Sequence, residues 1–328
     1  NSYIGSVGGA LYFQTGSTST ANKMAIAASG SIYPNNAIQG TYFGQDAGNP
    51  ASVTGVGNTS IGYATAQALT SGYQNVSVGR SAGQSLTTGL NNVSVGTYAG
   101  YNNVDGQQNT YVGYGAGYTS PGQNYNTFVG REAGYYNTAN ESTAVGRNAM
   151  HANTTGVGNT AMGAQALTAN QTSSYNSAFG YQSLYNSTAD SVTAFGYHAG
   201  LSTTTGGSNT FIGQQCHGLN QTGYGITSVG MQAGYNGTGG IHNTYMGYAA
   251  GYGQTGTGGN YNTAIGFYAS KTIGAGNTYN TSLGYYAGGG SGAGVFSGNL
   301  NTCIGAYAGS SLTGGLYNTL VGYNANGN

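Results

Sequence analysis

Charge is almost absent from this sequence. Five Lys and Arg and five Asp and Glu make up 3% of 328 residues, and the formal net charge is zero. Ordinary globular chains carry about 25% charged residues. The basic residues Lys23, Arg80, Arg131, Arg147 and Lys271 are scattered. They form no stripe that could follow a phosphate backbone, so nucleic acid is not expected as a partner. Three prolines exclude collagen and polyproline architectures. Tryptophan is missing and there are only two cysteines. No run of about 18 apolar residues exists, so no membrane span is expected. No basic-then-apolar leader opens the chain at Asn1. Low hydrophobicity often means disorder, but that class needs high net charge and few aromatics. Here aromatics are 12% and Tyr alone numbers 31.

What fills the space is Gly, at 64 residues, with Asn, Thr, Ser and Gln. These residues are organised by a repeat. One motif recurs: Asn, then Thr or Ser, any residue, a large apolar residue, and Gly. Clear copies are Asn58-Thr59-Ser60-Ile61-Gly62, Asn126-Thr127-Phe128-Val129-Gly130, Asn262-Thr263-Ala264-Ile265-Gly266 and Asn318-Thr319-Leu320-Val321-Gly322. There are 19 units, from the one ending at Gly5 to the one ending at Gly322, with a degenerate copy ending at Ala27. A small residue stands three places after the Gly, usually Ala, as in Ala82, Ala99, Ala116, Ala133, Ala199, Ala233, Ala287 and Ala308. Clusters of Gly, Asn, Thr and Ser separate the motifs and read as turns.

A period near 17 is too short for two helices and suits one coil of a solenoid. The fold class is therefore all-β: a parallel β-solenoid, or β-roll, of about 19 coils of roughly 17 residues. At about 4.8 Å per coil this predicts a rod roughly 90 Å long. Residues 1–44 read as irregular first coils, a cap or junction, and 45–328 as regular repeats. The residue before each Gly is apolar in every unit. Ile61, Val78, Val95, Val112, Val129, Val145, Met162, Phe179, Phe195, Ile212, Val229, Met246, Ile265, Leu283, Ile304 and Val321 are read as the structural core ladder. The Thr two places earlier shares their strand face. Val76 and Val93 replace it, and Val is nearly isosteric with Thr, so this face is expected inside. The motif Asn is expected to bond to the next coil. Each coil then offers few inward apolar groups, mainly one Ala and one aliphatic, the aliphatic at about 1.5–3 kcal/mol. Ordering costs about 1–2 kcal/mol per residue, so self-association is expected. The alternate strand face (Tyr111, Phe128, Phe211, Tyr245, Ala161) is expected to supply the subunit contact, with a homotrimer preferred and end-to-end stacking as a further mode.

The run Asn262-Thr263-Ala264-Ile265-Gly266 resembles the repeat in the heads of trimeric autotransporter adhesins. The longer Asn109-Thr110-Tyr111-Val112-Gly113-Tyr114-Gly115-Ala116-Gly117 looks like repeats of phage tail fibres. The likeness covers Asn1 to Ala325. It implies a left-handed parallel β-roll, threefold assembly, and adhesion or host attachment.

Little else in the sequence carries chemistry. His151, His198, His217 and His242 do not pair at metal-ligand spacing and read as solvated or packed turn residues. Cys216 and Cys303 lie five coils apart, about 24 Å in a rod, beyond the roughly 7 Å Cα separation a disulfide tolerates. They read as free thiols, Cys216 as a small buried hydrophobe. Glu132 and Glu141, with Arg131 and Arg147, read as an intercoil salt bridge rather than a catalytic carboxylate pair. The other acids are Asp46, Asp105 and Asp190, too few Asp for a calcium-binding repeat. No catalytic residue, metal site or cofactor is expected, and the chain is not read as an enzyme. The leading expectation is an extracellular, cell-surface or virion structural fibre serving attachment. The alternative is an adhesin head binding cell-surface glycans through Tyr, Asn and Gln. An ice-binding solenoid with a Thr ladder comes third.

Overall fold

The computed structural model describes residues 40–48, 53–219, 222–253, 259–289 and 298–326, and before them four strands. No helix occurs among the described residues. The chain divides into two units, Asn1–Glu141 and Ser142–Asn328.

The first unit opens with β1 (Tyr3–Val7), β2 (Ala10–Gln14), β3 (Met24–Ile26) and β4 (Ile32–Pro34). They form an antiparallel sheet in sequence order, with Tyr3 opposite Gln14 and Met24 opposite Pro34. The motif copies at Gly5 and Ala27 therefore fall in or beside antiparallel strands rather than solenoid coils. The other 17 copies each carry a three-residue parallel strand. In the first unit these are β5 (Thr41–Phe43), β6 (Thr59–Ile61), β7 (Val76–Val78), β8 (Val93–Val95), β9 (Thr110–Val112) and β10 (Thr127–Val129). They pair in parallel, equivalent residue on equivalent residue.

The second unit repeats the arrangement through eleven strands: β11 (Thr143–Val145), β12 (Thr160–Met162), β13 (Ser177–Phe179), β14 (Thr193–Phe195), β15 (Thr210–Ile212), β16 (Thr227–Val229), β17 (Thr244–Met246), β18 (Thr263–Ile265), β19 (Thr281–Leu283), β21 (Thr302–Ile304) and β23 (Thr319–Val321). All pair in parallel without a register slip. Between β19 and β23 a short parallel pair, β20 (Gly298–Asn299) and β22 (Gly315–Leu316), closes one turn edge. Five steps in one unit and ten in the other make fifteen solenoid turns.

The motif Gly is required because backbones stack there. Its φ is about +130° in every coil, for example +125° at Gly79 and +129° at Gly96. A Cβ on Gly79 would lie 2.8 Å from the carbonyl oxygen of Gly96, and one on Gly96 would lie 2.6 Å from that of Gly113. Any side chain would wedge the coils apart. Beyond the strand the coils stay hydrogen-bonded through the turns. Gly83, Gly100 and Gly117 donate their N–H groups to the carbonyls of Ala99, Ala116 and Ala133 at 2.9, 2.9 and 3.0 Å.

The expected core ladder is reversed in direction. The middle residue is buried in every three-residue parallel strand from β6 to β21 and half-buried in β5 and β23, and both flanks face outward. In the first unit Ile61 is exposed and Val78, Val95, Val112 and Val129 are half-buried. In the second unit Met162, Phe195, Ile212, Met246, Leu283, Ile304 and Val321 are exposed, Phe195 at 58% and Val321 at 65%. Val145, Phe179, Val229 and Ile265 are half-buried. These residues do form a column, one per rung, but on the outer surface. Conversely Tyr111, Phe128, Phe211, Tyr245 and Ala161, expected as subunit contacts, are completely buried. The interior is narrow, and it is filled by the strand's middle residue and the small residue after the motif Gly. The Ala expectation holds: Ala82, Ala99, Ala116, Ala133, Ala199, Ala233, Ala287 and Ala308 are all fully buried.

In several coils a large interior residue is matched by a small one six residues away. Tyr111 and Phe128 face Gly117 and Gly134, six residues on, where an added Cβ would sit 2.5 Å from either ring. Where the middle residue is Ala144, Ala161 or Ala178, the position six residues on holds Met150, Leu167 or Leu184, each fully buried. Those three side chains adopt φ of 51–53°. A left-handed conformation costs about 1–2 kcal/mol, and burying such a side chain returns about 1.5–3 kcal/mol.

Candidate functional site

Buried Asn side chains are hydrogen-bonded from coil to coil along a ladder. Asn58, Asn75, Asn92 and Asn109 are buried in successive coils. Asn75 donates its backbone N–H and its Nδ2 to Asn58 Oδ1 at 3.0 and 3.1 Å, and Nδ2 also donates to the Gly89 carbonyl at 2.8 Å. Asn92 repeats this onto Asn75 and Gly106. In the second unit Asn280, Asn301 and Asn318 continue the pattern from Asn262. The intercoil Asn bonding expected from the motif is present.

Among the described residues, a buried Ser–His pair comes nearest to catalytic chemistry. The Oγ of Ser228 lies 2.7 Å from His217 Nδ1. The imidazole is sandwiched between Phe211 and Tyr245, with centroids at 4.8 and 5.7 Å. Burial pushes the His217 pKa down to about 3, so the ring is neutral at physiological pH. Both side chains are sealed from solvent, so no substrate reaches the hydroxyl. Of the two alternatives expected for the histidines, a solvated or a packed turn residue, His217 is the packed one. Cys216 and Cys303 are free and buried. Burial pushes their thiols up to about 12 and about 11. Cys303 is the middle residue of β21, an inward position that the sequence reading treated as merely variable.

Of the residues expected to form a salt bridge, Arg131 and Glu132 make a contact between neighbours in sequence. Arg131 meets Glu132 Oε1 at 3.2 Å, with the Arg131 side chain largely exposed. No group of three or more His, Cys, Asp or Glu among the described residues could hold a metal ion. No helix among them is long and apolar enough to cross a membrane.

Chemistry is therefore concentrated on the outside, in two kinds of column. The first is the outward strand face, where Thr and a large apolar residue alternate around the buried middle residue. It runs uncharged over six rungs in the first unit and eleven in the second. The second is made of tyrosines. The fifth residue after the motif Gly is Tyr101, Tyr118 and Tyr135 in three successive coils, and their rings stack at 5.0 Å and 3°, then 4.7 Å and 1°. Two coils earlier the same position holds Gln67 and Gln84, joined by a 3.1 Å amide hydrogen bond. In the second unit Tyr261 and Tyr279 stack at 4.9 Å and 3°, and Tyr248, Phe267 and Tyr285 form a further stack. Arg80, Arg131 and Lys271 lie over Tyr98, Tyr114 and Tyr268. Tyr125 and Tyr175 stand outside these stacks, 59% and 67% exposed.

No protein-family model matches the chain, and no curated protein matches it.

Proposed function

We propose that the chain is a structural segment of an extracellular or virion fibre that serves attachment, with copies packed side by side, three to a fibre. The observation that carries this reading is the outward apolar column. Monomeric soluble proteins rarely leave a long contiguous apolar strip in water. In the second unit alone eleven rungs each present one half-exposed or exposed aliphatic, Met or Phe side chain. Completing the burial of each would contribute roughly 1 kcal/mol, about 10 kcal/mol in all. That is comparable with the roughly 4–15 kcal/mol that association costs in lost freedom. Zero net charge leaves no long-range repulsion between copies. The resemblance to adhesin heads and tail fibres points the same way. No catalytic role is part of the proposal.

The test is the mass of the purified chain in solution, by light scattering, together with electron micrographs. A trimer or a filament is expected. The paired substitution Ile212→Glu with Met246→Glu, on the outward column, should dissociate it while leaving the β circular dichroism unchanged. A wild-type chain that stays monomeric at micromolar concentration would overturn the reading.

Glycan binding is a second reading, favoured by the open rings of Tyr125 and Tyr175. Within the Tyr101–Tyr118–Tyr135 stack the central ring has both faces covered, whereas Tyr125 and Tyr175 stand open. Loss of binding on a glycan array in Tyr125→Ala with Tyr175→Ala tests it. Ice binding would use the outward Thr column, which lies on the solvent face. The bulky Phe179 and Phe195 stand in the adjoining column, and a thermal hysteresis measurement decides the matter.

A further inference from the structure

We propose that the stacked tyrosines are sites of oxidative cross-linking, forming dityrosine between neighbouring coils of one chain: Tyr101 with Tyr118, Tyr118 with Tyr135, and Tyr261 with Tyr279. Side chains that surrender a single electron easily are Trp, Tyr and the cysteine thiolate. Trp is absent. Both thiols are buried, and the protonated, inaccessible thiol is the unreactive form. Tyrosine is therefore the reachable one-electron donor, and it is abundant.

Position selects among the tyrosines. Each named pair has its rings nearly parallel, within 3°, at centroid separations of 4.7–5.0 Å. Tyr261 and Tyr279 are 43% and 55% exposed, and Tyr101, Tyr118 and Tyr135 are half-buried, so an oxidant reaches them. The backbones on either side are tied together: Asn102 N–H donates to the Tyr118 carbonyl at 3.0 Å and Thr119 N–H to the Tyr135 carbonyl at 2.9 Å. Two radicals formed on such a pair meet by tilting about their side-chain torsions rather than by diffusion.

The oxidant is a peroxide acting through a haem peroxidase. Each phenol loses one electron and one proton to give a phenoxyl radical. The two radicals join through one bond between ring carbons ortho to oxygen. The two hydrogens on those carbons move to the oxygens and restore both phenols. In sum, two tyrosines and one hydrogen peroxide give one dityrosine and two water molecules. The product staples one coil to the next without altering the fold's register.

The experiment treats the purified chain with haem peroxidase and limiting hydrogen peroxide, then reads dityrosine fluorescence and maps coupled peptides by mass after denaturation and digestion. Coupled peptides lacking two hydrogens are expected at the three named pairs, enriched about tenfold or more over those involving the unstacked Tyr63, Tyr73 and Tyr125. Oxidation at the exposed Met162, Met231 and Met246 adds oxygen instead, so the masses separate the two. Tyr118→Phe, which keeps the ring and is checked by circular dichroism, should abolish both of its couplings and leave the Tyr261–Tyr279 product unchanged. Tyr125→Phe should leave all three. Coupling spread evenly over stacked and unstacked tyrosines, coupling only between chains, or tyrosine consumption without any dityrosine would each overturn the proposal.

Discussion

Volume exchange inside a coil can be tested with a double-mutant cycle at Phe128 and Gly134. Phe128 is fully buried, and truncating it to Ala should destabilise its coil by about 3–5 kcal/mol. Gly134→Leu alone puts a Cβ 2.5 Å from Phe128 Cδ2 and Cε2, at a φ of +57°. Overpacking of that kind costs about 1–3 kcal/mol, and the left-handed backbone adds about 1–2 kcal/mol. If the two sites were independent, the double variant would lose roughly 5–10 kcal/mol. The arrangement Ala–Leu, however, already exists at Ala161 and Leu167, both completely buried, with Leu167 at φ 53°. The double variant should therefore be more stable than Phe128→Ala alone, with a coupling of at least about 2–3 kcal/mol in the favourable sense. Repeat arrays open locally, so amide exchange at Thr110–Val129 is the direct assay, with the thermal midpoint as a check. Additivity within about 0.5 kcal/mol, or a double variant no better than Phe128→Ala, would refute volume exchange as the rule of this interior.

Acid should destabilise the second unit through His217. Its folded pKa of about 3 lies below the unfolded value near 6.5, so the unfolded chain binds the extra proton. Stability is full above about pH 6.5 and falls by up to about 1.4 kcal/mol per pH unit toward pH 3. His217→Leu should flatten that slope in acid melts, and an unchanged slope would count against it. Neither thiol should react with a disulfide reagent in the native state, and two equivalents should appear on unfolding, since both are buried. Asn92→Asp should destabilise by more than about 3 kcal/mol in thermal melts. It removes the donors to Asn75 Oδ1 and the Gly106 carbonyl and sets a carboxylate against those oxygens. A shift as small as that of an exposed site such as Asn186→Asp would mean the ladder contributes little.

The period, the parallel register, the Asn ladder and the inward Ala were legible because each follows from a residue type recurring at one phase. Direction was not. Alternation identifies which residues share a face but not which face is inside. The larger aliphatics, Ile61 or Ile212, were assigned inward by hydrophobicity. The contrary signal was present in the middle position, which is Ser, Ala or Cys in eleven of the seventeen parallel strands. A coil this small leaves room for few large side chains, and wherever the middle residue is Tyr111, Phe128 or Tyr245 the position six residues later is Gly. That compensation needs two positions compared across coils, and a single-column reading misses it. His217 shows the same limit. It replaces the Gly or Leu of other coils, and only its stacking on Phe211 and Tyr245 shows how it is accommodated. The tyrosine stacks were invisible as pairs because Tyr101, Tyr118 and Tyr135 stand 17 residues apart.

The scarcity of charge follows from the same stacking. In a register-perfect solenoid every repeat position faces its own copy about 4.8 Å away. A repeated Lys or Glu would meet a like charge at that distance, costing about 1 kcal/mol per step in water and roughly 3–4 kcal/mol at an effective dielectric of 20. Amides avoid the penalty because they carry donor and acceptor together: Gln67 bonds to Gln84, Gln165 to Gln182, and Gln215 to Gln232. Aromatic rings avoid it by stacking, and Thr and aliphatics by being neutral. Arg131, one of the few charged residues, has Glu132 beside it as its ion-pair partner. A surface chosen for self-compatibility along one axis is thus uncharged and partly apolar, and nothing in it repels a second copy laid alongside. On this reading lateral assembly needs no dedicated interface. The proposed lateral packing would then be the outward consequence of the rule that lets one coil lie on the next.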